Sequence, residues 1–231
     1  MNDNKLDVFE SASVSKAVFK NAIPSIMAMI MVLVYNMADL FFIGQTHDDF
    51  QVAAVSLGTP VFLIFMSLGT LFGIGGTSVI SRSLGKKDTD YAKKVCSFCM
   101  WTSAAVGTVL TLIMLVFINP ILSFIGTSPD TLSFTKTYLM IVSLCGPFVI
   151  IGNCYSNIIR AEGNSNTAMF GMVLGNLLNI ILDPIMILVF KWNIAGAAIA
   201  TVIGNIAGAV YYRSYYWRGK SMLCISLKDF T

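Results

Sequence analysis

The sequence predicts an all-α membrane protein, a bundle of six transmembrane helices, on three observations. Hydrophobic residues make up 56% of it and charged residues only 12%, with a mean hydropathy of +0.76, which excludes an ordinary soluble domain. Six apolar runs are each long enough to span as a helix of about 20 residues. They cover Pro24 to Ile43, Ala53 to Ile80, Val95 to Ile118, Tyr138 to Ile159, Ala168 to Phe190 and Ile194 to Tyr212. Finally, thirteen of the fifteen Lys and Arg residues fall in segments that one topology places on a single side.

That topology sets the N-terminus in the cytoplasm, because basic residues stay on the inner side of short loops. Only Lys136 and Lys191 then fall outside. The net charge of +3 is therefore a topology signal, and no nucleic-acid partner is implied.

Residues 1–20 mix acids and bases with no apolar core, so they are expected to be a cytoplasmic segment, not a cleaved leader. Phe9, Val14, Val18 and Phe19 recur loosely at helical spacing and suggest an amphipathic lead-in on the membrane surface. The lobe proper is expected over 21–217. Residues 218–231 are expected to begin a cytoplasmic segment, either between lobes or at the C-terminus.

The first span carries Pro24, a candidate hinge, and then Tyr35, Asn36 and Asp39, which share one helical face. The loop from Gln45 to Gln51, with His47, Asp48 and Asp49, is expected to be a short external turn. The second span holds Gly58, Pro60, Gly69, Gly73, Gly75 and Gly76. Small residues let helices approach closely, so it is expected in the bundle interior. It ends in Ser81, Arg82 and Gly85, followed by a charged connection.

Asn119-Pro120 is expected to close the third span, with Ile121 to Ile125 too short to cross and lying in the interface. The fourth span has Gly146-Pro147 near its middle, a kink signal, and Asn153 and Asn157 one turn apart. The sixth carries Thr201 and Asn205 at i and i+4. Tyr211 to Trp217 then reads as an aromatic belt at the inner boundary.

Cys96 and Cys99 form a CxxC, but no second pair accompanies it and the single His47 lies on the other side. A zinc or redox site needs ligands the chain lacks, and packing residues are the better reading.

The fifth span holds the most informative stretch, with Asn176, Asn179 and Asp183 at i, i+3 and i+7 on one face. A carboxylate near mid-bilayer costs roughly 2.5 to 3.5 kcal/mol on insertion scales, so that face must meet something polar. Counting down from the outer boundary, Asp183 lies roughly 12 Å deep, Thr201 at a similar depth and Asp39 at about 8 Å. The three could form one site, with Asn153 and Asn157 lining the same cavity further in.

Of twelve acidic residues only Asp39 and Asp183 fall within spans, and no Lys or Arg is there to neutralise them. Two carboxylates in low dielectric cannot both stay ionised and unpaired. What remains is a bound proton, a metal cation or a cationic substrate. An oxygen-only set of Asp39, Asn179, Asp183 and Thr201 suits a hard ion such as sodium. A site that exchanges one cation for another meets the requirement of a cation-driven antiporter. The plainer reading is two protonated acids hydrogen-bonding helices together.

The run Tyr35-Asn-Met-Ala-Asp39-Leu-Phe-Phe-Ile-Gly44 after Pro24, the glycine-rich end of span two, and Asn179-Ile-Ile-Leu-Asp183-Pro184 resemble multidrug and toxic compound extrusion (MATE) transporters of the prokaryotic branch. The resemblance runs from about Lys16 to Lys220. It implies that Asp39, Asn179, Asp183 and Thr201 form the N-terminal lobe's cation site and that the first helix bends near Pro24. It also implies sodium- or proton-coupled export of organic cations by alternating access, with no resident cofactor.

Family members have two six-helix lobes, and this chain carries one. A second lobe is expected from the same gene or from a second copy, and a lone copy would keep the cation site while lacking transport. An intramembrane aspartyl protease would place its acids in Tyr-Asp and Gly-x-Gly-Asp contexts, unlike Ala38-Asp39 and Leu182-Asp183-Pro184. A lipid-linked precursor flippase of the same architecture would line its cavity with basic residues for phosphate, and these spans have none.

Overall fold

The computed structural model describes residues 14–218 together with Ser221 and Leu223. Among these residues there is no strand. The chain runs α1 (Val14–Gly44), α2 (Asp49–Gly85), α3 (Thr89–Val116), α4 (Ile118–Ile125), α5 (Pro129–Leu144), α6 (Gly146–Ala161), α7 (Ser165–Pro184), a π-helical turn (Ile185–Val189) and α8 (Asn193–Trp217). Five helices are long and apolar enough to cross a membrane, and α5 with α6 makes a sixth span bent by 52°.

The bend lies where Gly146-Pro147 predicts it, and its chemistry is visible. Pro147 has no N–H to give the carbonyl of Ser143, four residues back. The Thr111 hydroxyl of α3 donates to that carbonyl at 2.8 Å instead. A side chain at Gly146 would collide with the ring of Phe65 on α2. The α5 segment starts at Pro129, well before the Tyr138 expected from hydropathy, because Ser128 and Thr131 form a reciprocal capping box that starts the helix among polar residues.

Pro120 opens a helix rather than only closing one, lying in the first turn of the eight-residue α4. Proline is tolerated there because a first-turn N–H has no helical partner. A left-handed Gly126 ends α4.

One buried bond orients the bundle. Asp48 caps α2 by accepting from Phe50 N–H at 3.0 Å and also accepts from the Gln51 amide at 3.0 Å. The other end of that amide, Gln51 Oε1, accepts Ile194 N–H at the start of α8 at 3.0 Å. The α1–α2 turn and the turn before α8 therefore lie at one end of the bundle, here called the His47 end. The opposite end carries Arg82 and Arg160. One cluster of buried hydrophobics, including Ile43, Phe65, Tyr138 and Ile187, fills the His47 half. A second, including Ile80, Cys96, Cys154 and Tyr212, fills the Arg82 half.

Two expectations are revised. The second span is not the interior helix: α2 packs against α3, α5 and α6 but leaves Leu63, Leu71 and Ile74 exposed. Gly58, Gly69, Gly73 and Gly76 are buried while Gly75 is exposed, and the most buried span is α8.

The aromatic belt is half core. Tyr212 and Tyr215 are buried while Trp217 is exposed, because helical periodicity turns residues 208, 212 and 215 towards one side. The turn after α6 is tied into the fold. Glu162 is buried and accepts from Tyr215 Oη at 3.1 Å and from Ser221 Oγ, tying the chain after α8 to the α6–α7 turn.

Of the amphipathic lead-in, residues 1–13 lie outside the described residues, and α1 runs unbroken from Val14 into the span. Cys224 lies outside them too. Cys96, Cys99, Cys145 and Cys154 are buried free thiols.

Candidate cation site and cavity

Three helices build the site. Asp39 comes from the last turns of α1, Asn179 and Asp183 from the end of α7, and Thr201 from the third turn of α8. All three helix segments lie towards the His47 end, and Asp39, Asn179 and Thr201 line one cavity. Asp39 is 6% exposed, Asn179 2%, Asp183 0% and Thr201 3%.

Asn179 bridges the group. In the amide orientation that satisfies both of its ends, the NH2 donates to Asp183 Oδ2 at 3.0 Å and the carbonyl accepts from Thr201 N–H at 2.9 Å and Thr201 Oγ1 at 3.2 Å. Asp39 Oδ1, Asp183 Oδ1 and Asn176 Nδ2 are buried with no protein hydrogen bond. Tyr35 on α1 and Tyr138 on α5 line the same cavity as Asp39. Among the described residues no Lys or Arg pairs with either acid.

A cavity of about 540 Å³ opens beside this group. Tyr35, Asn36, Asp39, Asn153, Asn176, Asn179, Thr201 and Asn205 lie on its wall. Asn153 and Asn205 donate their NH2 groups to the carbonyls of Val149 and Thr201, at 3.0 and 2.8 Å. Their amide oxygens remain as the groups not taken up by the helix.

Asp183 is not on the wall and lies behind Asn179. Asn157 is a correction to the cavity list: it is not on the wall either. Its side-chain amide donates to Asn153 O at 2.9 Å, its backbone carbonyl accepts from Thr77 Oγ1 at 3.1 Å, and its side chain lies where a Cβ on Gly73 would be. It is a packing contact between α6 and α2. Pro24 is buried within a continuous α1, away from the wall.

Sequence reasoning missed Tyr138 and Tyr212, which also line the cavity. One marked a span boundary and the other an aromatic belt. The only prior signal for Tyr138 is Gly58 on α2, whose absent Cβ would come within 2.7 Å of the Tyr138 ring.

The donor set fits a hard cation or a proton. It consists of carboxylate, amide and hydroxyl oxygens, two of the carboxylate oxygens lacking any protein partner. Softer metals would need the thiol or imidazole ligands found elsewhere. Among the described residues no group of three or more His, Cys, Asp or Glu side chains could hold a metal.

The family model MatE matches residues 24–185, a stretch that includes Asp39, Asn179 and Asp183. The chain belongs to the MatE family. MatE relatives include the multidrug export protein MepA of Staphylococcus aureus, 36% identical over 228 residues that cover 99% of this chain and 51% of that protein. MepA of Staphylococcus saprophyticus is 35% identical, with 98% and 50% covered. The chain thus spans about half the length of the curated relatives it matches.

Among solved MatE-like structures, a MATE mutant superposes with a TM-score of 0.93 at 27% identity, covering 100% of this chain and 52% of that one. An outward-facing multidrug resistance MATE transporter of the MOP superfamily gives 0.88 at 29%, covering 94% and 48%. A Pyrococcus furiosus MOP superfamily transporter, described as having a binding pocket of reversed polarity that suggests a different function, gives the same TM-score, identity and coverage.

Proposed function

We propose that this chain is the cation-coupling lobe of an antiporter that exports organic cations by alternating access, with sodium or a proton as the coupling ion. The observation that carries the reading is the pair of buried acids, each with an oxygen that no protein donor or cation satisfies. An ionised carboxylate left so would cost several kcal/mol. The charge that answers it therefore comes from solution and leaves again. Asp39 and Asp183, with Asn179 and Thr201, would hold the ion. Asp39, on the cavity wall, is the acid that an organic cation would meet, flanked by Tyr35 and Tyr138, whose ring faces favour cations.

The chain would sit in the cell membrane, multi-pass, with its N-terminus cytoplasmic and the His47 end outside. A second six-helix lobe, from the same gene or a second copy, would form the other wall of the substrate path. Pro24 would serve as the hinge of α1, because proline removes the hydrogen bond to the preceding turn. A transporter, not an enzyme, is the role that the names of its relatives support.

A lipid-linked precursor flippase is the second reading, since a structural neighbour at equal similarity is described as having a different function. Against it, no Lys or Arg is among the described residues on the cavity wall to meet phosphate. A lone lobe that holds the ion but does not transport is the third.

The test is efflux of a fluorescent organic cation from membrane vesicles carrying this chain with its second lobe, driven separately by sodium jumps and pH jumps. Asp39→Asn and Asp183→Asn are each expected to abolish the response to the coupling ion. Undiminished coupled efflux in both variants overturns the assignment.

A further inference from the structure

The two antiparallel helices that carry Asp183 and Thr201 are zipped together in a register that changes just beyond the site. A Cβ on Gly208 would lie 3.3 Å from the Gly171 carbonyl oxygen, and a Cβ on Gly175 would lie 2.7 Å from the Gly204 oxygen. Asn179 then meets Thr201. From one contact to the next, the steps are four and four residues on α7 against four and three on α8, as expected for two regular helices side by side.

The next contact breaks that rhythm. A Cβ on Gly196 would lie 2.9 Å from both the carbonyl carbon and the oxygen of Met186. From Asn179 to Met186 is seven residues, while from Thr201 back to Gly196 is five. The surplus on α7 is taken up where Pro184 interrupts the hydrogen bonding and the π turn widens the helix, with Phe190 N–H reaching Ile185 O at 2.9 Å. Trp192 N–H holds the Met186 carbonyl at 3.0 Å. Wide turns of this kind recur at functional sites.

We propose that Gly196 is a positioning residue for the Asp183 carboxylate: by leaving room for the Met186 backbone, it lets the wide turn lie flat on α8 and so keeps Asp183 beside Asn179 and Thr201. Asp183 is three residues before Met186, and only Pro184 and Ile185 separate them. Its one protein hydrogen bond is to Asn179, and its other oxygen has none, so the backbone does most of the placing. Any side chain at 196 meets backbone atoms, which cannot swing aside as a flexible side chain would. The displaced turn carries Asp183 with it. The functional consequence, a weakened ion site, rests on the antiporter reading, while the geometry does not.

The experiment measures the rate at which a membrane-permeant carbodiimide modifies Asp183 and Asp39, mapped by mass spectrometry on the full chain in membranes. The variants are Gly196→Ala and Gly196→Val. The control is Gly75→Val, at an α2 position with nothing within 4 Å of its Cβ. Gly196→Val is expected to label at Asp183 about tenfold faster than the parent, the factor that corresponds to losing its hydrogen bond to Asn179 at ordinary net strength. Gly196→Ala should show a smaller rise, and Asp39 should be unchanged throughout. If the valine variant does not fold, the alanine variant decides the matter.

Parental labelling rates at Asp183 in the folded Gly196 variants, or an equal rise in Gly75→Val, overturn the proposal. Failure of sodium or protons to alter labelling of the parent would count against the antiporter reading alone, leaving the Gly196 comparison intact.

Discussion

Asn179 stands between Asp183 and Thr201, donating to one at 3.0 Å and accepting from the other's backbone N–H at 2.9 Å. A single amide therefore joins the last turn of α7 to the third turn of α8 and completes the environment of a fully buried acid. Asn179→Ala leaves Asp183 with no partner. Loss of a buried polar partner costs about 1–3 kcal/mol, to be read as a lower unfolding temperature in detergent. Asn179→Asp is expected to fold while altering the response to sodium and protons. An unchanged melting profile for the alanine variant would mean that the bridge carries no load.

The proton and the organic cation are expected to compete. Both need the negative charge of the same two acids, and protonation removes it. Where an essential carboxylate is mostly protonated, each further unit of acidification should weaken organic-cation binding by up to about tenfold. Equilibrium binding of a fluorescent cation across a pH series tests this. Affinity that stays flat as the pH falls, in the parent and in Asp39→Asn alike, would separate the substrate from the acids.

Gln51 is expected to matter to stability although it lies far from any charged ligand. It is 4% exposed and links Asp48 to the first turn of α8. Gln51→Ala should cost about 1 kcal/mol, the range of a lost helix cap. Hydrogen exchange at the Ile194 amide should quicken. Equal protection in the variant would show that another group supplies the cap.

Glycine contacts should divide sharply by position. Gly175→Val drives a side chain into the Gly204 backbone. Overpacking of that kind costs about 1–3 kcal/mol or more, so poor yield of folded protein is expected. Gly75→Ala meets open space and should be neutral or gain up to about 1 kcal/mol from helix propensity. Thermal unfolding of the two variants side by side checks the contrast.

The spans and the acid pair were legible in the residue order for one reason. Lipid leaves the backbone no partner but itself, so each crossing must be a long apolar helix. Any acid inside one is then conspicuous. The face of Asn176, Asn179 and Asp183 follows from counting along one helix, and the equal depth of Asp39 and Thr201 from counting along two more.

Residue counting did not reveal who stands opposite whom. Asn153 and Asn157 are equivalent by spacing, and only the packing of Asn157 on Gly73 separates them. Tyr138 and Tyr212 stand where boundary aromatics are expected, yet both line the cavity.

The sequence alone thus determined how many times the chain can cross, where it must bend, and that two acids lie in the membrane without a basic partner, because these depend on composition and on local backbone chemistry. The tertiary structure alone decided that Asp183 sits behind the cavity wall while Asp39 is on it, that a wide turn after Pro184 resets the register of α7 against α8, and that Asn179 is the bridge. Those outcomes depend on which helices touch and at what height, and contacts between residues far apart in the chain leave no periodic trace in the order of its residues.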